Sequence, residues 1–234
     1  MNAIFWLAQT AADVPTANGW LTIAERERMD CLCVPKRRAD WRLGRWTAKR
    51  AISAYLGVAI PAVEIRPAVS GAPEAWIDGR PAAVALSLSH SGSIGFCAVA
   101  TPGTDLGCDV EGVQPRSPGF LADYFTSEEQ TLVAEAAPAQ RDLFVTVLWS
   151  AKESVLKALH CGLRSDTRAV CCGVQGFGGG RIWHRLRATY DRARKFQGWW
   201  RESGRMVFTV AAGAGTNAEG EFPQAIVADE LALL

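Results

Sequence analysis

The sequence predicts a mixed α/β protein, on three observations. A helical period runs from Lys36 to Leu56. Two apolar strand-like runs, 82–89 and 94–100, are joined by a short turn, and a third strand ends at Glu111. Helical stretches from Ser127 and over about 140–160 then give way to a hairpin within 195–211.

Each element has its own signal. Met1 to Gln9 mixes aromatic and aliphatic residues without a basic lead, so it reads as a first strand and not as a secretory signal. In the first helix Trp41, Ala48, Ile52 and Tyr55 recur at helical spacing, Arg38, Arg42, Arg45 and Lys49 lie on another face, and Gly57 is the stop. Ser70-Gly-Ala-Pro73 and Asp78-Gly-Arg-Pro81 are turns around a short segment at Trp76, and Ser91-Gly-Ser93 joins the next two strands. Gly112 to Gly119, with Pro115 and Pro118, is the best linker and divides the chain into 1–112 and 113–234. Ser127-Glu-Glu-Gln130 offers N-capping chemistry to the helix that follows. On the next helix Leu148, Ala151, Val155 and Leu159 form the core face, with Glu153 and Lys157 at its edge. Glu202-Ser-Gly204 turns the hairpin, 213–221 is a flexible loop by composition, and Ala225 to Ala228 adds a last strand. No period of 20 to 50 residues is present, and the sequence does not visibly repeat itself.

Composition narrows the function. With 25 basic and 24 acidic residues the net charge is +1, so no global field points to nucleic acid or to an anionic membrane. The sequence contains no uninterrupted apolar stretch long enough to span a bilayer. Seven cysteines form no C-x-x-C and only three histidines accompany them, which argues against zinc and for a reduced, cytoplasmic setting. Cys97 and Cys108 read as core fillers.

The chemistry gathers in two segments. Asp109 and Glu111 lie two apart on a strand and so share a face, while Val110 turns into the core. Trp149, Glu153 and Lys157 lie four apart on a helix and share one face. If the segments meet, three carboxylates and a lysine converge, a set of hard oxygen ligands suited to Mg²⁺ on a phosphate-bearing substrate. Plainer roles exist for each: a solvated acidic pair, an exposed Glu–Lys pair, a core tryptophan.

Gly107-Cys-Asp-Val-Glu111 and Trp149-Ser-Ala-Lys-Glu-Ser-Val-Leu-Lys157, with Ser87-Leu-Ser-His-Ser91 and Tyr124-Phe-Thr-Ser-Glu-Glu129 in order between and before them, resemble the motifs of the 4'-phosphopantetheinyl transferase superfamily. The length suits its surfactin-activating type. That resemblance implies two similar α/β halves related by a pseudo-twofold axis, with the active site in the cleft between them. The first half, 1–112, would bind coenzyme A and hold the first metal carboxylates; the second, 113–234, would carry the catalytic helix. The implied activity is transfer of the 4'-phosphopantetheine arm of coenzyme A to a serine of an apo acyl or peptidyl carrier protein, releasing 3',5'-ADP.

The resemblance also implies roles. Asp109, Glu111 and Glu153 would hold Mg²⁺. Glu153 would serve as base, Lys157 would stabilise the leaving phosphate, and Glu129 would be a supporting acid near the serine. The basic cluster Lys36-Arg37-Arg38 with Arg42, Arg45 and Lys49 would ordinarily be a solvated helix face. By the resemblance, Arg37 and Arg45 would hold the 3'-phosphate and Lys49 would be a further coenzyme A contact, with Ser89 and His90 as phosphate contacts and the backbone of Gly71, Ala72 and Pro73 against the nucleotide. Gly71-Ala72-Pro73 departs from the family pattern in lacking a lysine. The expected partners are coenzyme A and the carrier, with no nucleic acid or membrane, and the chain is expected to act as a monomer. The rival readings are a non-catalytic coenzyme A or carrier-binding module on the same fold and another Mg²⁺-dependent phosphotransferase; the commonest version of the latter lacks its G-x-x-x-x-G-K-[ST] loop here.

Overall fold

The computed structural model describes residues 3–174, 182–213 and 221–226. Its first part contains β1 (Phe5–Thr10), α1 (Ile23–Asp30), α2 (Pro35–Leu56), β2 (Val63–Pro67), β3 (Pro73–Ile77), β4 (Arg80–Pro81), β5 (Ala85–Ser91) and β6 (Ile94–Ala100). It continues with β7 (Leu106–Gly112), α3 (Pro118–Tyr124), α4 (Ser127–Glu135), α5 (Arg141–Ala158), β8 (Val170–Val174), β9 (His184–Tyr190), β10 (Arg194–Ser203), β11 (Met206–Gly213) and β12 (Gln224–Ala225). The predicted helices and hairpins therefore stand where their periodicity placed them. Most of the loop expected at 213–221 lies outside the described residues.

Hydrogen bonding arranges the strands as β12-β1-β6-β5, as β2-β3-β4, and as β7-β11-β10-β9-β8. Strand β1 runs antiparallel to β6, and β7 runs antiparallel to β11 in the same way. A boundary at 112/113 therefore separates β7 from the sheet to which it is hydrogen-bonded. Trp6 and Phe96 of one sheet meet Val110 and Phe208 of the other in a shared core, with the Phe96 and Phe208 rings edge-on at 5.2 Å. Helix α2 covers the outer face of the first sheet through Ala48, Ala51 and Ile52. Helix α5 covers the second through Leu148, Ala151 and Val155, as its sequence pattern predicts.

A repeat is present after all. Thr22 caps α1 and closes a capping box with Glu25, whose Oε2 also accepts from Lys49 Nζ at 2.6 Å and whose Oε1 accepts from the Ile65 amide of β2 at 3.0 Å. Thr126 caps α4 and closes the same box with Glu129, whose Oε2 lies 2.8 Å from Lys152 Nζ and whose Oε1 accepts from the Cys172 amide of β8 at 3.0 Å. The sequence duplicates these parts as Thr22-x-x-Glu25 with Trp46-Thr-Ala-Lys49, and Thr126-x-x-Glu129 with Trp149-Ser-Ala-Lys152. The two copies lie further apart than the 50-residue periods of common repeat arrays, so a search at such periods passes over them.

The pairing corrects two expectations and bears on a third. Thr126, not Ser127, is the N-cap of α4. Lys49 is not on a solvated face: it has no exposed surface, and its pKa is lowered by burial against the pull of Glu25. Glu129 is 2% exposed and makes the contacts of a buried structural carboxylate.

Candidate active site

The end strands of the two larger sheets, β5 and β7, meet edge to edge, and the Ser87-Leu-Ser89 motif joins them. Residues two apart on a strand face the same way. Ser87 Oγ accepts from the Cys108 amide at 2.9 Å, and Ser89 Oγ donates to Asp109 Oδ1 at 2.7 Å. Asp109 is thereby drawn inward to 4% exposure.

Helix α5 closes over this seam. Ser150 Oγ donates to Asp109 Oδ2 at 2.8 Å, and Lys157 Nζ donates to Asp109 Oδ1 at 2.7 Å and to the Cys108 carbonyl at 3.1 Å. Thr209 of β11 donates in turn to the Ser150 carbonyl at 2.9 Å. Such close approach needs Gly107: a Cβ there would lie 1.7 Å from the Ser154 carbonyl oxygen. Gly107→Ala should therefore push α5 off β7, costing about 3 kcal/mol or more, lowering the melting temperature by roughly 6–12 °C and separating Lys157 from Asp109. A variant with a wild-type melting curve would refute this account of the glycine.

The electrostatics follow from crowding acids in a partly dry place. Burial first, then the charge of Asp109, holds the Glu153 carboxyl up at about 7. Burial and Asp109 also raise Glu111, against the opposing Arg116, which stands 3.5 Å away. For Lys157 burial works to lower the pKa, but Asp109, Cys108 and Glu153 outweigh it and the ammonium is held more firmly than usual. Trp149 is 8% exposed and packed edge-on to Phe120 at 5.0 Å and Tyr124 at 5.1 Å, so it is a core aromatic.

Glu153 Oε1 is buried with no hydrogen-bond partner among the described residues. An orphaned carboxylate oxygen beside two other acids has the chemistry of a cation ligand. Among the described residues, however, no three histidine, cysteine or acidic side chains are gathered closely enough to hold a metal ion by themselves. Mg²⁺ fits such a setting, because it takes one or two carboxylates and completes its shell with water and substrate phosphate oxygens.

The remaining expected residues divide between two places. Gly71, Ala72 and Pro73 line a cavity of about 510 Å³ that reaches Lys157. Arg37 and Arg45 line another, together with Arg28, Glu64 and Arg66. The Arg45 guanidinium stacks on Trp41 with 4.9 Å to the ring centroid, and burial lowers its pKa. Lys49 lies in neither cavity. His90 sits on the surface, half exposed, with Nε2 4.0 Å from the Asp40 carboxylate. Glu129 lines a third cavity, with Arg168 and Cys172, away from the acids of β7 and α5. The reading of the sequence missed Ser150, Thr209 and the tight contact at Gly107; Ser150 and Gly107 carried a signal, each standing inside one of the two motifs, and Thr209 carried none.

Residues 105–210 match the model of a family described as the 4'-phosphopantetheinyl transferase superfamily, a span that includes Asp109, Glu111, Glu129, Glu153 and Lys157. The match supports the resemblance for the second part of the chain; Arg37, Arg45, Gly71 to Pro73, Ser89 and His90 lie outside it. No curated protein matches the chain. Among solved structures it is similar to a holo-(acyl-carrier-protein) synthase from Bacillus anthracis in complex with CoA (3',5'-ADP), at 22% identity over 42% of this chain and 94% of that one, with a TM-score of 0.37. It is also similar to the holo-[acyl-carrier-protein] synthase of Thermotoga maritima, at 20% identity over 54% of this chain and 76% of that one, with a TM-score of 0.35. Both likenesses are distant. Among the described residues no helix is long and apolar enough to cross a membrane.

Proposed function

We propose that this chain is a Mg²⁺-dependent 4'-phosphopantetheinyl transferase of the surfactin-activating type, acting as a cytoplasmic monomer on coenzyme A and an apo carrier protein. The observation that carries the proposal is the meeting of Asp109, Glu153 and Lys157 at the seam between β5, β7 and α5, beside a cavity that runs to Gly71 and Pro73. In the proposed reaction Glu153 takes the proton of the carrier serine, and a carboxyl poised near neutral pH suits that work. The serine oxygen attacks the β-phosphate of coenzyme A, and the bond to the 3',5'-ADP phosphate breaks. Lys157, held by Asp109, meets the charge that grows on the leaving phosphate. Asp109, Glu111 and Glu153 are the carboxylates from which Mg²⁺ would draw its one or two protein ligands, and it would supply charge neutralisation at the reacting phosphates. A division into two α/β halves, with the site between them, belongs to the same proposal and is supported by the duplicated capping boxes and ion pairs. Only the second copy carries the acids and lysine, since Arg50 and Ala54 of α2 stand where α5 has Glu153 and Lys157.

Intact mass of purified apo carriers after incubation with coenzyme A and Mg²⁺ tests the reading. Gain of one phosphopantetheine on any carrier is the expected result. No gain on any of them, with coenzyme A still bound, would favour the binding module.

The arginine cavity gives a separate prediction. If Arg37 and Arg45 hold the 3'-phosphate, they grip a group remote from the breaking bond and act equally in ground and transition states. Arg37→Ala or Arg45→Ala should raise KM for coenzyme A roughly ten- to a hundredfold with kcat little changed, and the double variant should lose the preference over dephospho-coenzyme A. A double variant that still discriminates like wild type would place that phosphate elsewhere.

A further inference from the structure

The cavity of about 510 Å³ between the Ser70–Pro73 turn and the end of α5 has an uneven lining. Pro73, Leu86 and Leu88 make an apolar wall, and among the described residues that line it Lys157 and Arg164 are the permanent cations and none is a carboxylate. Lys157 is already paired with Asp109 at 2.7 Å. Among the described residues Arg164 is not paired with any acid. Its Nη2 donates to the Ser70 carbonyl at 2.9 Å and to the His160 carbonyl at 3.2 Å, and its Nε donates to the Cys161 carbonyl at 3.1 Å.

Those three bonds fix the guanidinium without neutralising it, because carbonyl oxygens bear no net charge. They also bridge the turn that bears Gly71 and the turn that follows the helix that bears Lys157. A pre-positioned guanidinium facing a cavity with an apolar wall has the make-up of a nucleotide site, in which the base lies on the wall and a phosphate meets the cation.

We propose that Arg164 is a substrate-binding residue that holds a phosphate of the nucleotide end of the substrate. This rests on the coenzyme A reading above. Arg164 lines a different cavity from Arg37 and Arg45, so its effect should be independent of theirs.

The test is calorimetric titration of 3',5'-ADP and of adenosine into wild type, Arg164→Ala and Arg164→Lys, with melting curves alongside. Arg164→Ala should bind 3',5'-ADP roughly ten- to a hundredfold more weakly and adenosine as wild type does. Arg164→Lys should regain most of that loss, since it keeps the charge. In turnover, Arg164→Ala should raise KM for coenzyme A and leave kcat nearly unchanged. If Arg164→Ala does not fold, Arg164→Gln, which keeps a planar donor without the charge, should show the same pattern. Unchanged affinity for 3',5'-ADP would overturn the proposal. So would an equal loss for both ligands that lysine does not rescue, because a brace between the turn and the helix would behave that way. Wild type that binds neither ligand would overturn the coenzyme A reading and this one with it. Wild type that binds 3',5'-ADP yet modifies no carrier would count against transfer alone.

Discussion

Glu153→Gln should lower transfer by roughly 10²–10⁴-fold or more, since it removes a base together with a metal charge, and should at the same time stabilise the metal-free protein at pH 8. The two effects have one cause. Glu153 is raised to about 7 by burial and by the charge of Asp109, while in an unfolded chain it ionises at its ordinary 4.5. Between those values the fold keeps a proton that the unfolded chain has released, so stability falls as pH rises through that window and levels off above it. The face value of the shift is about 3 kcal/mol. Allowing for water's access to this half-buried side chain leaves about 1–2 kcal/mol.

Glutamine carries no such proton. In chelator, the variant should melt together with wild type near pH 4.5 and roughly 2–8 °C above it at pH 8. Added Mg²⁺ should then raise the wild-type melting temperature more than the variant's, because a ligand stabilises only the fold that binds it. A variant that turns over like wild type at saturating Mg²⁺ would remove Glu153 from the mechanism. One that melts below wild type at pH 8 would show that the carboxylate is better accommodated than its surroundings imply.

Much of the fold was legible because it rests on local signals. Lys36 to Leu56 is periodic and ends at Gly57, which takes a positive φ of 69° as the helix stop. Ser91-Gly-Ser93 carries a glycine at a φ of 59°, where the β5–β6 hairpin turns. The convergence of Asp109 with Lys157 was legible from two motifs with strand and helix spacing. What joins them was not. The bonds from Ser87 and Ser89 to β7 run between edges of different sheets, and no pattern within β5 announces which edge it will meet.

Lys49 misled for a related reason. Lys49 lies among Arg42, Arg45 and Arg50, and a basic helix face is normally solvated. Its burial depends on Glu25 in another helix, and so does that of Lys152 on Glu129. Comparing the two Trp-[Thr/Ser]-Ala-Lys segments with each other would have exposed the pattern, since both lysines precede by one the position that is Arg50 in one copy and Glu153 in the other.

That pattern bears on Glu129, for which the family resemblance implies a catalytic role and the structure offers a structural one. Both members of the Glu129–Lys152 pair are buried, at 2.8 Å, and Lys152 also donates to the Thr167 and Val170 carbonyls. Removing one partner of a buried pair leaves the other charge uncompensated, which costs about 3–5 kcal/mol. Lys152→Met should therefore lower the melting temperature by roughly 6–20 °C. Glu129→Gln should also cost stability, because its single amide oxygen can accept from the Thr126 amide or the Cys172 amide but not from both. The double variant should recover part of the loss of Lys152→Met, since no uncompensated charge is then buried although one amide still faces the glutamine NH2. Since Glu129 lies away from Asp109 and Glu153, Glu129→Gln assayed well below its melting temperature should keep kcat within a few-fold of wild type. A drop of a hundredfold or more with an unchanged melting curve would restore Glu129 to the reaction and make the twin pair at Glu25 and Lys49 the misleading comparison.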